Sequence, residues 1–107
     1  KKIVDEIHQC KGDDDAFAIV DLATVRLQHK RWYDNLPRVT PFYAVKCNSD
    51  PHILNELNKL NTGFDCASKG EIDLVLSLGV SANRIIYANP CKQPSHIRHA
   101  ANVGVNL

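Results

Sequence analysis

The sequence predicts an α/β chain, the truncated front of a parallel (β/α)8 barrel of TIM type, and three observations carry that reading. Short apolar runs open at Phe42, Gly63 and Ile85, about 21 residues apart. A helical pattern fills each interval, so the chain repeats one strand and helix unit, and parallel strands follow. The chain also starts at Lys1, contains no methionine and stops at Val105-Asn106-Leu107, the opening of another strand, so it reads as a fragment. An open doubly wound sheet would suit a complete small domain; periodic units at the front of a longer protein suit the barrel. Residues 1–37 are expected to supply a helix, a strand and a helix leading into the barrel. Residues 38–107 are expected to supply its first three βα units, cut at the fourth strand.

The elements follow in order. Residues 1–10 have the pattern of an amphipathic helix end, residues 11–15 read as a polar loop, and residues 16–22 as a strand. Residues 24–36 are helical in pattern, with Val25, Leu27, Trp32 and Leu36 apolar, until Pro37 and Pro41 bracket a connection into a strand at 42–47. Asp50-Pro51 places a capping carboxylate before a proline at the first helical position, and Ile53, Leu54, Leu57 and Leu60 recur at helical spacing. That helix ends near Asn61, ahead of a strand at 63–67. Ser68-Lys69-Gly70-Glu71 has the form of a capping box, followed by Ile72, Leu74, Val75, Leu76 and Leu78, with Gly79 as the stop. A third strand at 85–89 precedes a helix opened by Pro94-Ser95. Gly79-Val80 and Gly104-Val105 are then equivalent turns, where glycine adopts the left-handed conformation that closes a helix.

Composition excludes several function classes. The chain has 107 residues, 44% of them hydrophobic and 23% charged, with a net charge of +1, which is globular rather than disordered. No block of lysine or arginine offers a footprint for nucleic acid, and no apolar stretch approaches the roughly 20 residues of a membrane helix. Cys10, Cys47, Cys66 and Cys91 lie far apart with no C-x-x-C pair, which argues against a zinc knuckle or a disulfide scaffold and for a reducing, cytoplasmic setting. His96 and His99 share a helix face without a third ligand, so no metal site is expected. The run Asp13-Asp14-Asp15 reads as a solvated loop.

Chemistry is expected at Lys46. It ends an otherwise apolar strand, where burying an ammonium would be costly. Either its head snorkels to solvent, or it stands at the carboxyl end of a barrel strand, where a desolvated amine deprotonates more readily and can form a Schiff base. Asp65 falls near the carboxyl end of the next strand, so its carboxylate could project into the same mouth. The alternative is an aspartate bonded to nearby loop amides.

The strings PFYAVKCN (residues 41–48), TGFDCASKGEI (62–72), LGV (78–80) and RIIYANPCKQ (84–93) together resemble the eukaryotic ornithine decarboxylase family. The likeness continues upstream through AFAIVDL and RWYDNLPRVT and downstream through IRHAANVGVNL, leaving only the first dozen or so residues unspecific. The resemblance implies an alanine-racemase-like barrel that binds pyridoxal 5'-phosphate, an added β domain and a homodimer. It implies decarboxylation of L-ornithine to putrescine, a step of polyamine biosynthesis.

Carried onto this sequence, the family motif makes Lys46 the Schiff-base lysine that holds the cofactor. It makes Asp65 a catalytic and cofactor-site residue that pairs with the lysine ammonium once substrate has displaced it. The counterpart of Glu71 lies near the cofactor, although the Ser68 capping box accounts for Glu71 equally well. Asn48 and Ser68 read as helix caps, and Asn89 either lines the pocket or caps its own loop.

The family's phosphate-binding segment, its pyridine-nitrogen partner and the partner subunit's contribution fall outside these residues. The isolated chain is therefore expected to be inactive and unstable. Other readings are an antizyme inhibitor, whose motif typically lacks the aspartate found here as Asp65, a decarboxylase for lysine, arginine or diaminopimelate, and a plain α/β binding domain. The resemblance also offers antizyme as a candidate partner of the intact protein, since the segment from Pro94 onward overlaps the start of the family's antizyme-contacting surface.

Overall fold

The computed structural model describes residues 2–10 and 16–107. The expected polar loop at 11–15, with its aspartate run, lies outside the described residues. Two helices, α1 (Lys2–Cys10) and α2 (Leu22–Asn35), precede three units: β1 (Phe42–Ala44) with α3 (Pro51–Lys59), β2 (Gly63–Cys66) with α4 (Lys69–Ser77), and β3 (Ile85–Tyr87) with α5 (Pro94–Asn102). The strands form one sheet in the order β1-β2-β3. All pairing is parallel, as helical connections require, with Ala44 opposite Asp65 and Asp65 opposite Ile86. A fourth strand begins as a parallel bridge between Ile86 and Asn106, where the Tyr87 N–H donates to the Asn106 carbonyl at 2.8 Å.

Alternation along the strands separates two faces. Phe64 and Cys66 of β2, and Ile85 and Tyr87 of β3, are buried against Ile53, Leu54 and Leu57 of α3, Ile72 and Val75 of α4, and Ala100 of α5. Burying a side chain such as Phe64 stabilises the fold by about 1.5–3 kcal/mol. The opposite face carries Phe42, Ala44, Asp65 and Ile86 and is only partly covered, as the inside of an unclosed barrel would be. A Cβ on Gly63 would stand 2.6 Å from the ring of the exposed Phe42, so any other residue there would force that ring to move.

Local chemistry sets the helix ends. Asp21 accepts from the Ala23 N–H at 2.8 Å, Asp50 from the His52 N–H at 2.8 Å, and Ser68 Oγ from the Glu71 N–H at 3.2 Å. Gly79 and Gly104 close their helices with φ of 77° and 76°, and Asn61 takes the same left-handed region with φ of 60°. Arg84 then ties the α3 to β2 turn together, donating to the Asn58 side chain and to the carbonyls of Asn58 and Thr62 at 2.8–3.2 Å.

The structure shortens the strands and removes one. Residues 16–21 carry no regular structure where a strand was expected, and the large apolar groups Phe17, Ile19 and Val20 are exposed. The apolar pattern is there, but no strand among the described residues pairs with it, and a strand is stabilised by its neighbours. β1 stops at Ala44, and Val45–Cys47 turns as a 3-10 helix. No helix among the described residues is long and apolar enough to cross a membrane.

Candidate active site at the carboxyl ends of the strands

Parallel direction brings the carboxyl ends of β1, β2 and β3 to one rim of the sheet. Lys46 stands on the 3-10 turn that leaves β1. Val45 before it is fully buried and Lys46 itself is exposed, so the turn anchors on one side and presents the amine on the other. Tyr43 fastens this turn, its hydroxyl donating to the Asn48 carbonyl at 3.0 Å. Burial, reinforced by the neighbouring Cys47 thiol, pushes the Tyr43 hydroxyl above its usual 10, so it stays a donor at neutral pH. Among the described residues Lys46 makes no side-chain hydrogen bond or ion pair.

Asp65 lies on the partly covered face of β2, in register with Ala44, two residues before Lys46. Among the described residues its carboxylate accepts no hydrogen bond and forms no ion pair, so the loop-amide role is not what the structure shows. Glu71 is committed: its N–H donates to Ser68 Oγ at 3.2 Å, one half of a capping box, while Oε2 reaches one residue past the N-cap and accepts from the Ala67 N–H at 2.7 Å. Both carboxylates lie close enough to Cys66 to act on it. Burial first, then the charges of Glu71 and Asp65, push the Cys66 thiol up to about 12. The three expected residues thus come to one rim, two with unpaired heads and one fixed by the backbone.

Two residues at this rim gave only a weak signal in the sequence. Asn89 was readable as pocket lining or as a cap; its Oδ1 accepts from the Cys91 N–H at 3.3 Å and its Nδ2 donates to the Ala67 carbonyl at 2.9 Å. Lys92 carried no motif of its own, yet its Nζ donates to the Asn89 carbonyl at 2.7 Å and lies 5.2 Å from the Tyr87 ring centroid. His99 is engaged elsewhere, 2.6 Å from Asp73 between α5 and α4. An apolar groove of about 430 Å³ lies between α2 and the amino end of β1, with Val25, Trp32, Phe42 and Ile53 on its walls. Neither Lys46 nor Asp65 lines it, so cavity size does not point to the chemistry.

A primary amine without a partner and an uncommitted carboxylate at the same ends of adjacent strands suit an aldehyde cofactor, the amine able to bond to it and the carboxylate able to attract positive charge. Residues 22–107 match the family described as pyridoxal-dependent decarboxylase, pyridoxal binding domain. The chain belongs to that family. It is 54% identical over 112 aligned positions to ornithine decarboxylase of Schizosaccharomyces pombe, covering 100% of the chain and 26% of that protein. It is 52% identical over 107 positions to antizyme inhibitor 2 of Xenopus laevis, covering 100% of the chain and 23% of that protein. Its fold superposes on ornithine decarboxylase of Entamoeba histolytica with a TM-score of 0.88 at 36% identity, covering 98% of the chain and 32% of that structure. The arginine decarboxylase of Paramecium bursaria Chlorella virus gives 0.89 at 36% identity, with 97% and 28% covered. The chain spans about a quarter of the length of the curated relatives it matches. The alanine-racemase-like barrel of these decarboxylases is therefore its fold, represented here by the first βα units.

Proposed function

We propose that the longer protein containing this chain decarboxylates L-ornithine to putrescine and carbon dioxide, with pyridoxal 5'-phosphate held on Lys46. The observation that carries this reading is the pair of unpaired heads, the Lys46 amine and the Asp65 carboxylate, at the same ends of adjacent parallel strands. When bound, the cofactor supplies an electron sink for the pair released as the bond to the substrate carboxylate breaks. Lys46 would hold the cofactor through its side-chain amine. Asp65 would attract positive charge on Lys46 Nζ and keep that amine at the site. Glu71 keeps one carboxylate oxygen on the Ala67 N–H, so its second oxygen is the one left for the cofactor site.

The choice of ornithine rests on the 54% identity to the fission yeast decarboxylase and on the motif strings at 41–48, 62–72 and 84–93. The cytoplasmic homodimer, the place in polyamine biosynthesis and regulation by antizyme rest on the same resemblance. A second reading, a non-catalytic regulator that binds antizyme, draws on the 52% identity to the frog antizyme inhibitor. Asp65 favours the enzyme.

Borohydride reduction of the full-length protein followed by peptide mapping tests the reading. The cofactor is expected on the peptide containing Lys46, with putrescine formed faster from ornithine than the corresponding diamines from lysine or arginine. Lys46→Ala abolishes labelling. Asp65→Asn retains it and lowers kcat by about 10²-fold, the scale of a positioned proton-handling group. A full-length protein without label that still binds antizyme would establish the regulator instead.

A further inference from the structure

Asn89 is built into the rim more firmly than a loop cap requires. The backbone ladder between β2 and β3 ends where the Ala88 N–H donates to the Cys66 carbonyl at 3.3 Å. The next rung comes from a side chain: Asn89 Nδ2 donates to the Ala67 carbonyl at 2.9 Å. Its Oδ1 accepts from the Cys91 N–H at 3.3 Å, so both ends of the amide are assigned by partners of opposite kind. Capping the loop needs that oxygen alone. The nitrogen instead reaches back to the residue that follows β2, and the Ala67 N–H is held from the other side by Glu71 at 2.7 Å. The Asn89 backbone is itself pinned, its carbonyl accepting from Lys92 Nζ at 2.7 Å.

We propose that Asn89 is a positioning residue of this site, fixing Ala67 and through it the carboxylates of Glu71 and Asp65 at the rim that carries Lys46. The inference rests on the pyridoxal-phosphate decarboxylase reading above. Ala67 lies two residues after Asp65 and directly before the capping box, so its backbone groups set where β2 ends and where Glu71 begins to reach. Remove the amide donor and the Ala67 carbonyl loses its partner on the β3 side. Glu71 and Asp65 can then drift without any core side chain moving.

The test uses the full-length protein with Asn89→Ala and Asn89→Asp. The aspartate keeps the oxygen that caps Cys91 and turns the donor into an acceptor facing the Ala67 carbonyl. Both variants are expected to fold with a wild-type thermal midpoint. kcat falls about tenfold with KM within about twofold, the equivalent of one hydrogen bond in the transition state. In the same samples the absorbance band of the lysine-bound cofactor shifts and dialysis removes the cofactor faster. In cofactor-free protein, amide exchange at Ala67 quickens about tenfold.

If Asn89→Ala does not fold, Asn89→Asp decides. If neither folds, Asn89 serves the fold and the proposal is overturned. Folded variants with wild-type kcat, absorbance and exchange overturn it as well, and so does a loss confined to KM or to the thermal midpoint. Borohydride labelling of the wild type keeps the two levels apart. An unlabelled wild type overturns the parent reading, whereas a labelled wild type with unchanged variants overturns the clamp alone.

Discussion

Residues 16–21 and strand β2 are alike in composition and opposite in fate. Phe17, Ile19 and Val20 lie in the first, and Phe64 and Cys66 in the second. β2 is paired on both edges and its two apolar groups are fully buried, while Ile19 is 57% and Val20 52% exposed. The helices that follow repeat the contrast. α3 and α4 each bury apolar residues, whereas α2 has none fully buried and is joined to α3 through an ion pair, Arg26 to Glu56 at 2.7 Å. Apolar pattern states which face wants cover; only a neighbour makes the strand.

Three measurements sharpen that contrast in the longer protein. The largest effect is expected at the centre of the sheet. Phe64→Ala removes a fully buried ring from β2 and should lower unfolding free energy by about 3–5 kcal/mol in denaturant titration. A loss near that of a surface change would show that β2 does not organise the core.

The next effect belongs to the polar tether. The hydrogen bond from Arg26, helped by the charges of Arg26 and Lys59, holds the Glu56 carboxyl below its usual 4.5 despite burial. A carboxyl lowered by folding stabilises the protein above its unfolded value, and that contribution is lost as pH falls through the folded one. The urea midpoint should therefore fall more steeply on acidification than in Glu56→Gln, and the two curves should converge in acid. Parallel curves would remove the tether from the account.

The smallest effect is expected at Ile19→Ala, within about 0.5 kcal/mol, as for an exposed side chain. A cost near that of a core truncation would show that residues 16–21 gain a strand partner in the longer protein, which would erase the contrast.

Much of the fold was legible because its punctuation is chemical. Asp50-Pro51, the Ser68 and Glu71 box and the two glycines at 79 and 104 each name a helix end by a local requirement, and each stands there in the structure. The strands were legible in position but not in length. Pairing ends β1 at Ala44, and nothing in FYAVKC announces that Val45–Cys47 will coil. At the rim, Lys46 was legible as a charge out of place in an apolar run and Asp65 as its neighbour one unit on. Glu71 read two ways; the structure puts one of its oxygens on the Ala67 N–H just before the cap, and its cofactor role is a matter for experiment. The second bond of Asn89 was not legible, because Ala67 becomes its neighbour only when β2 and β3 align.

That alignment has a consequence for how the site can be damaged. Within β2 the carboxylate of Asp65 and the thiol of Cys66 point to opposite sides because they are adjacent, so their assignments depend on counting as well as on identity. One residue inserted in the tight turn held by Arg84 would turn the strand over, sending an acid among the helices and a sulfur to the rim. A site written this way tolerates exchange of its outer letters more readily than a shift of its reading frame in space.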